Sequence, residues 1–363
     1  MMKHRSIGKC TIALALICAG LILFLQILQV IPMQFLKFLA PLLFVSLGIE
    51  ALIASLRHPQ DKLRIAGWNM VLLLLLLLAS GTQYVFSSYE AQESPSYMSS
   101  VEGSLNVQPA IKNVEIHLPQ GDISIMGTST SELTYEGRLS VPASSEEEAA
   151  HEIDNSWRVQ ETEDSIILSL KKPSNLVPAG MPGFEADQQR PYLNVRIPEF
   201  LLTSVHTSNS SVSAEQLHAD VTIHTSNGSV HLKDIIGNVS VDSSNGNLLI
   251  EHIQGGARVT TSNASIRLEE ITGSLLANTS NGKILASSLV GGRWDLQTSN
   301  SSIEVNLPHD TSAAVFAETS NSSIGGDLEW TYAEKNKAVA TLGRETYNVC
   351  LRTSNNSIKV FHQ

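Results

Sequence analysis

Cysteine is nearly absent: the 363 residues hold three, Cys10, Cys18 and Cys350. The first two fall in apolar sequence near the N-terminus, so residues 87–363 cannot close an intramolecular disulfide and must be held by their core and hydrogen bonds. Positive charge is also scarce. Of the 24 Lys and Arg, seven precede residue 87, leaving 17 against 33 Asp and Glu and a net charge of −16 beyond it. A surface of that sign repels polyanions, which argues against a nucleic-acid partner and in favour of cations or cationic peptides. Aromatic residues make up 6% of the chain, and no apolar run after residue 86 is long enough to cross a bilayer. Calcium-binding nonapeptide coils need Gly-Gly-x-Gly-x-Asp, and the turns here carry no Asp ladder. No Ser-His-Asp or paired-carboxylate arrangement stands out from the many turn Ser and Asp residues. Neither catalytic nor cofactor-binding residues are therefore assigned, and no cofactor is expected.

Three apolar stretches dominate residues 1–86, at about 10–30, 35–56 and 66–86. Each reaches the roughly 20 residues of a spanning helix. Lys3, Arg5 and Lys9 precede the first, and Arg57, Lys62 and Arg64 separate the second from the third, while only Lys37 follows the first. The positive-inside rule makes the N-terminus and residues 57–64 cytoplasmic and the chain from residue 87 extracytoplasmic. The first stretch exceeds a signal-peptide h-region and lacks a convincing cleavage site, so it reads as an uncleaved anchor. Glu50 lies less than two turns from Arg57, where it can pair or snorkel.

Beyond the anchor the chain repeats. Thr-Ser-Asn or Ser-Ser-Asn ends at Asn209, Asn227, Asn245, Asn263, Asn281, Asn300, Asn321 and Asn355, with spacings of 18, 18, 18, 18, 19, 21 and 34. Apolar residues recur four before the Asn (Val205, Ile223, Val241, Val259, Ala277, Leu296, Ala317, Leu351) and three after it (Val212, Val230, Leu248, Ile266, Ile284, Ile303, Ile324, Ile358). Alternation of period two on both sides of each tripeptide predicts two short half-buried strands per coil. Like residues recurring every 18 predict stacking by parallel pairing of coil on coil, so the expected fold is an all-β parallel β-solenoid behind three transmembrane helices. The Thr two before each Asn points inward and the Ser one before it outward, with the Asn and its small successor turning the chain through tolerance of positive φ. The outward orientation of Ser rather than Thr disfavours ice binding. Sequon matches stand at Asn209, Asn227, Asn238, Asn263, Asn278, Asn300, Asn321 and Asn355, and most of them are by-products of the repeat.

Flanking segments are less regular. Residues 87–104 read as a polar linker, and 105–200 as irregular coils with an insertion before the regular stack of 201–363. Asn113 to Ile125 looks like a degenerate first coil, residues 144–153 like a short helix behind an N-cap Ser, and 173–191 like a Pro/Gly-rich loop. The interval from Asn321 to Asn355 reads as one skipped or distorted coil. One outward column, three before the Asn, stacks His206, His224 and Asp242, whose imidazoles and carboxylate are potential transition-metal ligands. It continues as Thr260, Asn278, Gln297, Glu318 and Arg352, the composition of a solvated face, and no metal is assigned.

The strand YLNVRIP at 192–198 leading into coils with [Gly/Ser/Ala]-x-[Val/Ile] after each Asn resembles the bacterial "putative adhesin" family of β-strand-repeat proteins over about residues 105–363. The membrane block, with PLLFVSLGIEALI at 41–53, is similar to LiaF-type envelope-stress proteins. These resemblances imply a Gram-positive-type envelope protein with a β-solenoid ectodomain and bring no catalytic residues. The expected function is non-enzymatic: adhesion, cell-wall contact or envelope-stress sensing by a rod held in the cell membrane. The expected partners are the membrane itself and a cell-wall, surface or membrane protein. A regulatory partner of a signalling or transport system, or a carbohydrate-active β-helix, are the competing readings.

Overall fold

The computed structural model describes residues 96–171, 190–344 and 346–363, the strands His4–Ile7 and Lys62–Ile65, and helical positions at Val45, Ile49, Leu52, Ile53 and Leu56. The chain forms two units, Met1–Glu93 and Ser94–Gln363. In the first, His4–Ile7 and Lys62–Ile65 pair in parallel, His4 opposite Lys62 and Ile7 opposite Ile65. The expected spans at 10–30, 35–56 and 66–86 lie outside the described residues apart from those five helical positions. Among the described residues no helix is long and apolar enough to cross a membrane.

The second unit is the predicted stack. Strands N-terminal to the Thr-Ser-Asn corner form one sheet of 13 strands, here sheet I, and those C-terminal to it form a sheet of 12, sheet II. Register follows the 18-residue period: Val221 pairs with Val239, Val239 with Ala257, Ala257 with Leu275 and Leu275 with Trp294 in sheet I. In sheet II Val230, Leu248, Ile266, Ile284 and Ile303 line up likewise. Because side chains alternate across a strand, equal register puts every inward residue on the same column, and a one-residue slip would expose them all. Val205, Ile223, Val241, Val259, Ala277 and Leu296 are fully buried in one column. Each larger member contributes about 1.5–3 kcal/mol of burial relative to exposure.

The corners hold two ladders. Thr225, Thr261, Thr279, Thr298, Thr319 and Thr353 are buried as expected. Most of their hydroxyls donate to main-chain carbonyls of the neighbouring coil rather than to one another: Thr279 to Ala264, Thr298 to Gly282, Thr353 to Ser301 and Thr319 to Asn356. The exposed corner Asn residues form the second ladder, each Nδ2 donating to the Oδ1 of the Asn one coil back at 2.7–2.8 Å, from Asn227 on Asn209 through to Asn300 on Asn281. Positive φ is not what the corner demands, for among the described residues none of these Asn or their successors has it. Glycine is needed for close approach: a Cβ on Gly246 would stand 1.7 Å from the Gly228 carbonyl oxygen, and one on Gly282 1.6 Å from that of Ala264.

At both ends the order in space departs from the order in sequence. Coil 113–128 pairs on one side with coil 202–217 and on the other with Ser165–Leu170 and Tyr192–Pro198, so it is the second coil of the stack. Ser96–Asn106, overlapping what reads as a linker at 87–104, is a strand antiparallel to Glu132–Pro142 and closes that end of sheet II. Its Val101 is buried, which a sequence of Ser and Tyr around one Val conceals. The helix Glu146–Ser156 starts at Ser145, whose side chain accepts from Glu148 N, and buries Ala149 and Ile153. At the other end Tyr347–Thr353 lies between Trp294–Thr298 and Ala313–Thr319. The interval 321–355, read as one skipped or distorted coil, is an excursion through the antiparallel strand Lys337–Leu342, after which the last coil returns to an interior place. The Asn ladder records this, running Asn300, Asn355, Asn321.

Candidate binding surface

With the inner columns committed to the core, only outward residues differ from coil to coil. Two columns bring titratable groups together. The first is the histidine column of sheet I. It starts one coil earlier than the sequence reading, because His117 of the degenerate coil pairs in register with His206, and His206 with His224. The rings stack with centroids 4.9 and 5.0 Å apart and interplanar angles of 14° and 17°. Glu115 Oε2 lies 3.2 Å from His117 Nε2, and Asp242 Oδ2 3.4 Å from His224 Nδ1, so a carboxylate meets each outer ring. The middle ring has Ser204 Oγ at 3.2 Å. Burial holds His206 below the ordinary histidine pKa, His117 and His224 push it the same way, and Glu115 opposes them. Face-to-face rings carry their nitrogen lone pairs side by side instead of converging on one point. Among the described residues no group of three or more His, Cys, Asp or Glu is placed to hold a metal ion.

The second column was not singled out from sequence. Seven residues after the corner Asn, four successive coils place a non-glycine residue in the left-handed region: Gln216, Asp234, His252 and Glu270, with φ of 57°, 53°, 53° and 53°. Each interrupts the pairing of sheet II, where Glu215 pairs with Lys233 and Leu217 with Ile235 but the residue between is skipped. That extra residue bends the strand and turns Leu217, Ile235, Ile253 and Ile271 back into the core. A left-handed residue with a β-carbon costs about 1 kcal/mol or more relative to glycine. The signal in the sequence was the break from two-residue to three-residue spacing just before each of those apolar residues.

The side chains of this bend line an open groove of about 1030 Å³ together with Glu199, His218, Ile236, Leu289 and Asp310. Inside it the imidazole of His252 bridges neighbouring coils, Nδ1 at 3.0 Å from Asp234 Oδ1 and Nε2 at 3.5 Å from Glu270 Oε2. His218 Nδ1 stands 3.2 Å from Glu199 Oε1. Glu199, Asp234, Glu270 and Asp310 supply negative charge, no Lys or Arg among the described residues lines the groove, and Ile236 and Leu289 present exposed apolar surface. Chemically the groove offers acceptors at strand spacing and two apolar contacts, which suits an extended, positively charged segment.

The corner Asn residues expected to turn the chain all lie on one exposed edge, bonded to one another, while His206, His224 and Asp242 share the face of sheet I. The structure does not bring that face and the groove into one site.

Two solved structures match the chain at low similarity. A "putative adhesin" from Bacteroides fragilis is 13% identical, with 72% of this chain and 97% of that one covered and a TM-score of 0.41. A "putative cell adhesion protein" from Clostridium sporogenes is 10% identical over 73% of this chain and 100% of that one, with a TM-score of 0.24. No curated protein matches. The family model described as Toastrack DUF4097 matches residues 111–360, which takes in nearly the whole stack and well over half the sequence, so the chain belongs to the Toastrack DUF4097 family.

Proposed function

We propose that this chain is a non-enzymatic β-solenoid, anchored in the cell membrane and displayed outside the cytoplasm, that binds an extended cationic or polar segment of an envelope partner in the groove beside the left-handed column. The observation that carries the reading is the column itself. Four successive coils keep a side chain where glycine would be unstrained, and all four of those side chains face one groove. Strain retained at stacked positions is the mark of side chains kept for what they contact.

The membrane placement rests on the distribution of Lys and Arg around the three apolar stretches. The parallel pairing of His4–Ile7 with Lys62–Ile65 supports it, because it sets Arg5 beside Lys62 and Arg64, as two basic segments on the same side of the membrane require. Three spans then leave the solenoid on the far side.

The test replaces the column with glycine. D234G, H252G and E270G each relieve about 1 kcal/mol of backbone strain and each remove a surface contact worth less than that. The triple variant is expected to be at least as stable as the parent in thermal unfolding, and to lose partner capture when the full chain is used as bait on intact envelopes. Unchanged capture would move the partner to another face. Turnover of a wall glycan by the purified chain would overturn the non-enzymatic reading.

A further inference from the structure

The last coil in sequence is not the last in space. Tyr347–Thr353 pairs in parallel with Trp294–Thr298 on one side and with Ala313–Thr319 on the other, and Ile358–His362 lies likewise between Ile303–Leu307 and Ile324–Gly326. The two flanking coils, consecutive in sequence, therefore stand two strand spacings apart, about 9–10 Å. Without the C-terminal coil, Trp294–Thr298 and Ile303–Leu307 end in open edges of N–H and C=O groups, and coil 313–326 keeps only its antiparallel partner Lys337–Leu342. Val349, Leu351, Ile358 and Val360, all fully buried, supply the missing core. Thr353 donates to Ser301 O at 2.8 Å, and Asn355 completes the amide ladder between Asn300 and Asn321.

The tether of this coil is slight. Residues 343–346 begin at Gly343, with φ of 60°, and both Arg344 and Thr346 are exposed. Ser312 Oγ meets both of them, accepting from Arg344 N at 2.8 Å and lying 3.1 Å from Thr346 Oγ1. Extended, four residues cover about 13 Å, more than the two strand spacings, about 9–10 Å, that separate Leu342 from Tyr347 on either side of Ala313. A short hinge that joins a whole complementary element to its acceptor is the geometry from which elements are exchanged between copies, since every contact of the element is preserved in the exchange.

We infer that the edge of coil 294–307 is a docking surface for the C-terminal coil, Tyr347–Gln363, of a second copy of this chain, so that two copies associate by trading their last coils. The register code of the acceptor is the repeat itself: apolar residues four before and three after an Asn, with Thr at the corner. The donated coil carries these as Leu351, Ile358, Asn355 and Thr353. Nothing in the acceptor distinguishes its own coil from that of a neighbour.

Cys350 makes the exchange directly readable, for it lies opposite Asp295 on one wall and Phe316 on the other. Two populations of the full chain, both carrying C10S and C18S, are unfolded, mixed and refolded in detergent under oxidising conditions. The acceptor carries D295C and C350S; the donor keeps Cys350. A disulfide between them forms only when the donor's coil sits on the acceptor's edge. Expected is a donor–acceptor dimer that reduction abolishes and that falls about tenfold or more when the donor also carries L351D, which puts a charge where the coil must be apolar. A single chain with both D295C and Cys350 is the control for geometry and closes an intrachain bond. F316C, paired with Cys350 from the opposite wall, repeats the experiment if D295C prevents folding. Closure in the control without any mixed dimer overturns the inference, and so does a mixed dimer that L351D leaves unchanged, which would report collision and not seating.

Discussion

From Leu202 to Leu307 neighbours in the stack are neighbours in sequence, whereas beyond Leu307 the chain passes over one place, turns back through a hairpin and fills the place last. The two regions use the same corner and the same core positions. They differ in how closure is achieved: each regular coil is held by the coil before it, while the C-terminal coil holds together two coils that otherwise do not touch. In a stack with nearest-neighbour coupling, a defect in the first kind divides the rod and a defect in the second kind releases its end.

The largest expected effects break that comparison outright. V241D places a carboxylate in the fully buried column of the regular stack and L351D does the same in the returning coil; each costs several kcal/mol for an unpaired buried charge. Hydrogen exchange separates them. With V241D protection is lost on both sides of coil 239–254, whereas L351D leaves coils 221–271 protected and frees residues 313–362. Loss of protection along the whole stack in both variants would mean that the rod folds as one unit.

Next in size is the junction residue Trp294, fully buried where the regular stack meets the returning coil, with its indole N–H unpaired. W294A removes the largest of the fully buried side chains and is expected to cost about 3–5 kcal/mol in denaturant unfolding. W294F leaves a smaller void and removes an unsatisfied buried donor, which offsets part of the loss. If W294F cost as much as its lost volume alone predicts, the orphan N–H would carry no penalty.

Much of this was legible in the sequence, and the boundary is physical. A period of 18 with constant inward identities fixes parallel register, because side chains one coil apart must share a column; Val221, Val239 and Ala257 are paired as the spacing requires. The helix start at Ser145 and the degenerate coil at Asn113 were readable from a cap and from alternation. The interval of 34 marked an interruption, yet spacing along the chain carries no information on which gap in space a coil fills, so the return of Tyr347–Thr353 was hidden. The strand Ser96–Asn106 was hidden too, because it offers only Val101 and the partly buried Leu105 to the core. Of the candidate sites, the histidine column was half read: His206 and His224 stand out by the 18 residues between them, while His117 belongs to a coil without Thr-Ser-Asn. The left-handed column was missed because Gln, Asp, His and Glu there look like any solvated surface; the three-residue step marks a bend without saying that the backbone turns left-handed.

A smaller effect tests whether the Asn ladder is continuous across the two regions. Asn245 donates to Asn227 and accepts from Asn263, whereas Asn321 ends the ladder and only donates, to Asn355. At about 0.5–1.5 kcal/mol for a hydrogen bond, with exposed bonds at the low end, N245A is expected to cost about twice as much as N321A in thermal unfolding. Equal costs would make the ladder a consequence of the stack instead of a contributor to it.

The smallest effect concerns pH and sits at the opposite junction, where coil 113–128 meets coil 202–217. His206 is flanked by His117 and His224 in the stacked column, with Glu115 beside the first and Asp242 beside the last. Burial and the two neighbouring rings lower its pKa in the folded chain, Glu115 being too far outweighed to reverse the direction. The unfolded chain, with an ordinary histidine pKa of about 6.5, then binds the proton more readily than the folded one. Stability from this group is intact above pH 6.5, declines as pH falls from there toward the lowered folded value, and is constant again below it. H206Q keeps a polar side chain of similar reach without a titrating ring, so the difference in melting temperature between parent and variant should shrink or change sign as pH is lowered from about 7.5 to 5. A difference that stays constant over that range would show that His206 binds its proton equally well in the folded and the unfolded chain.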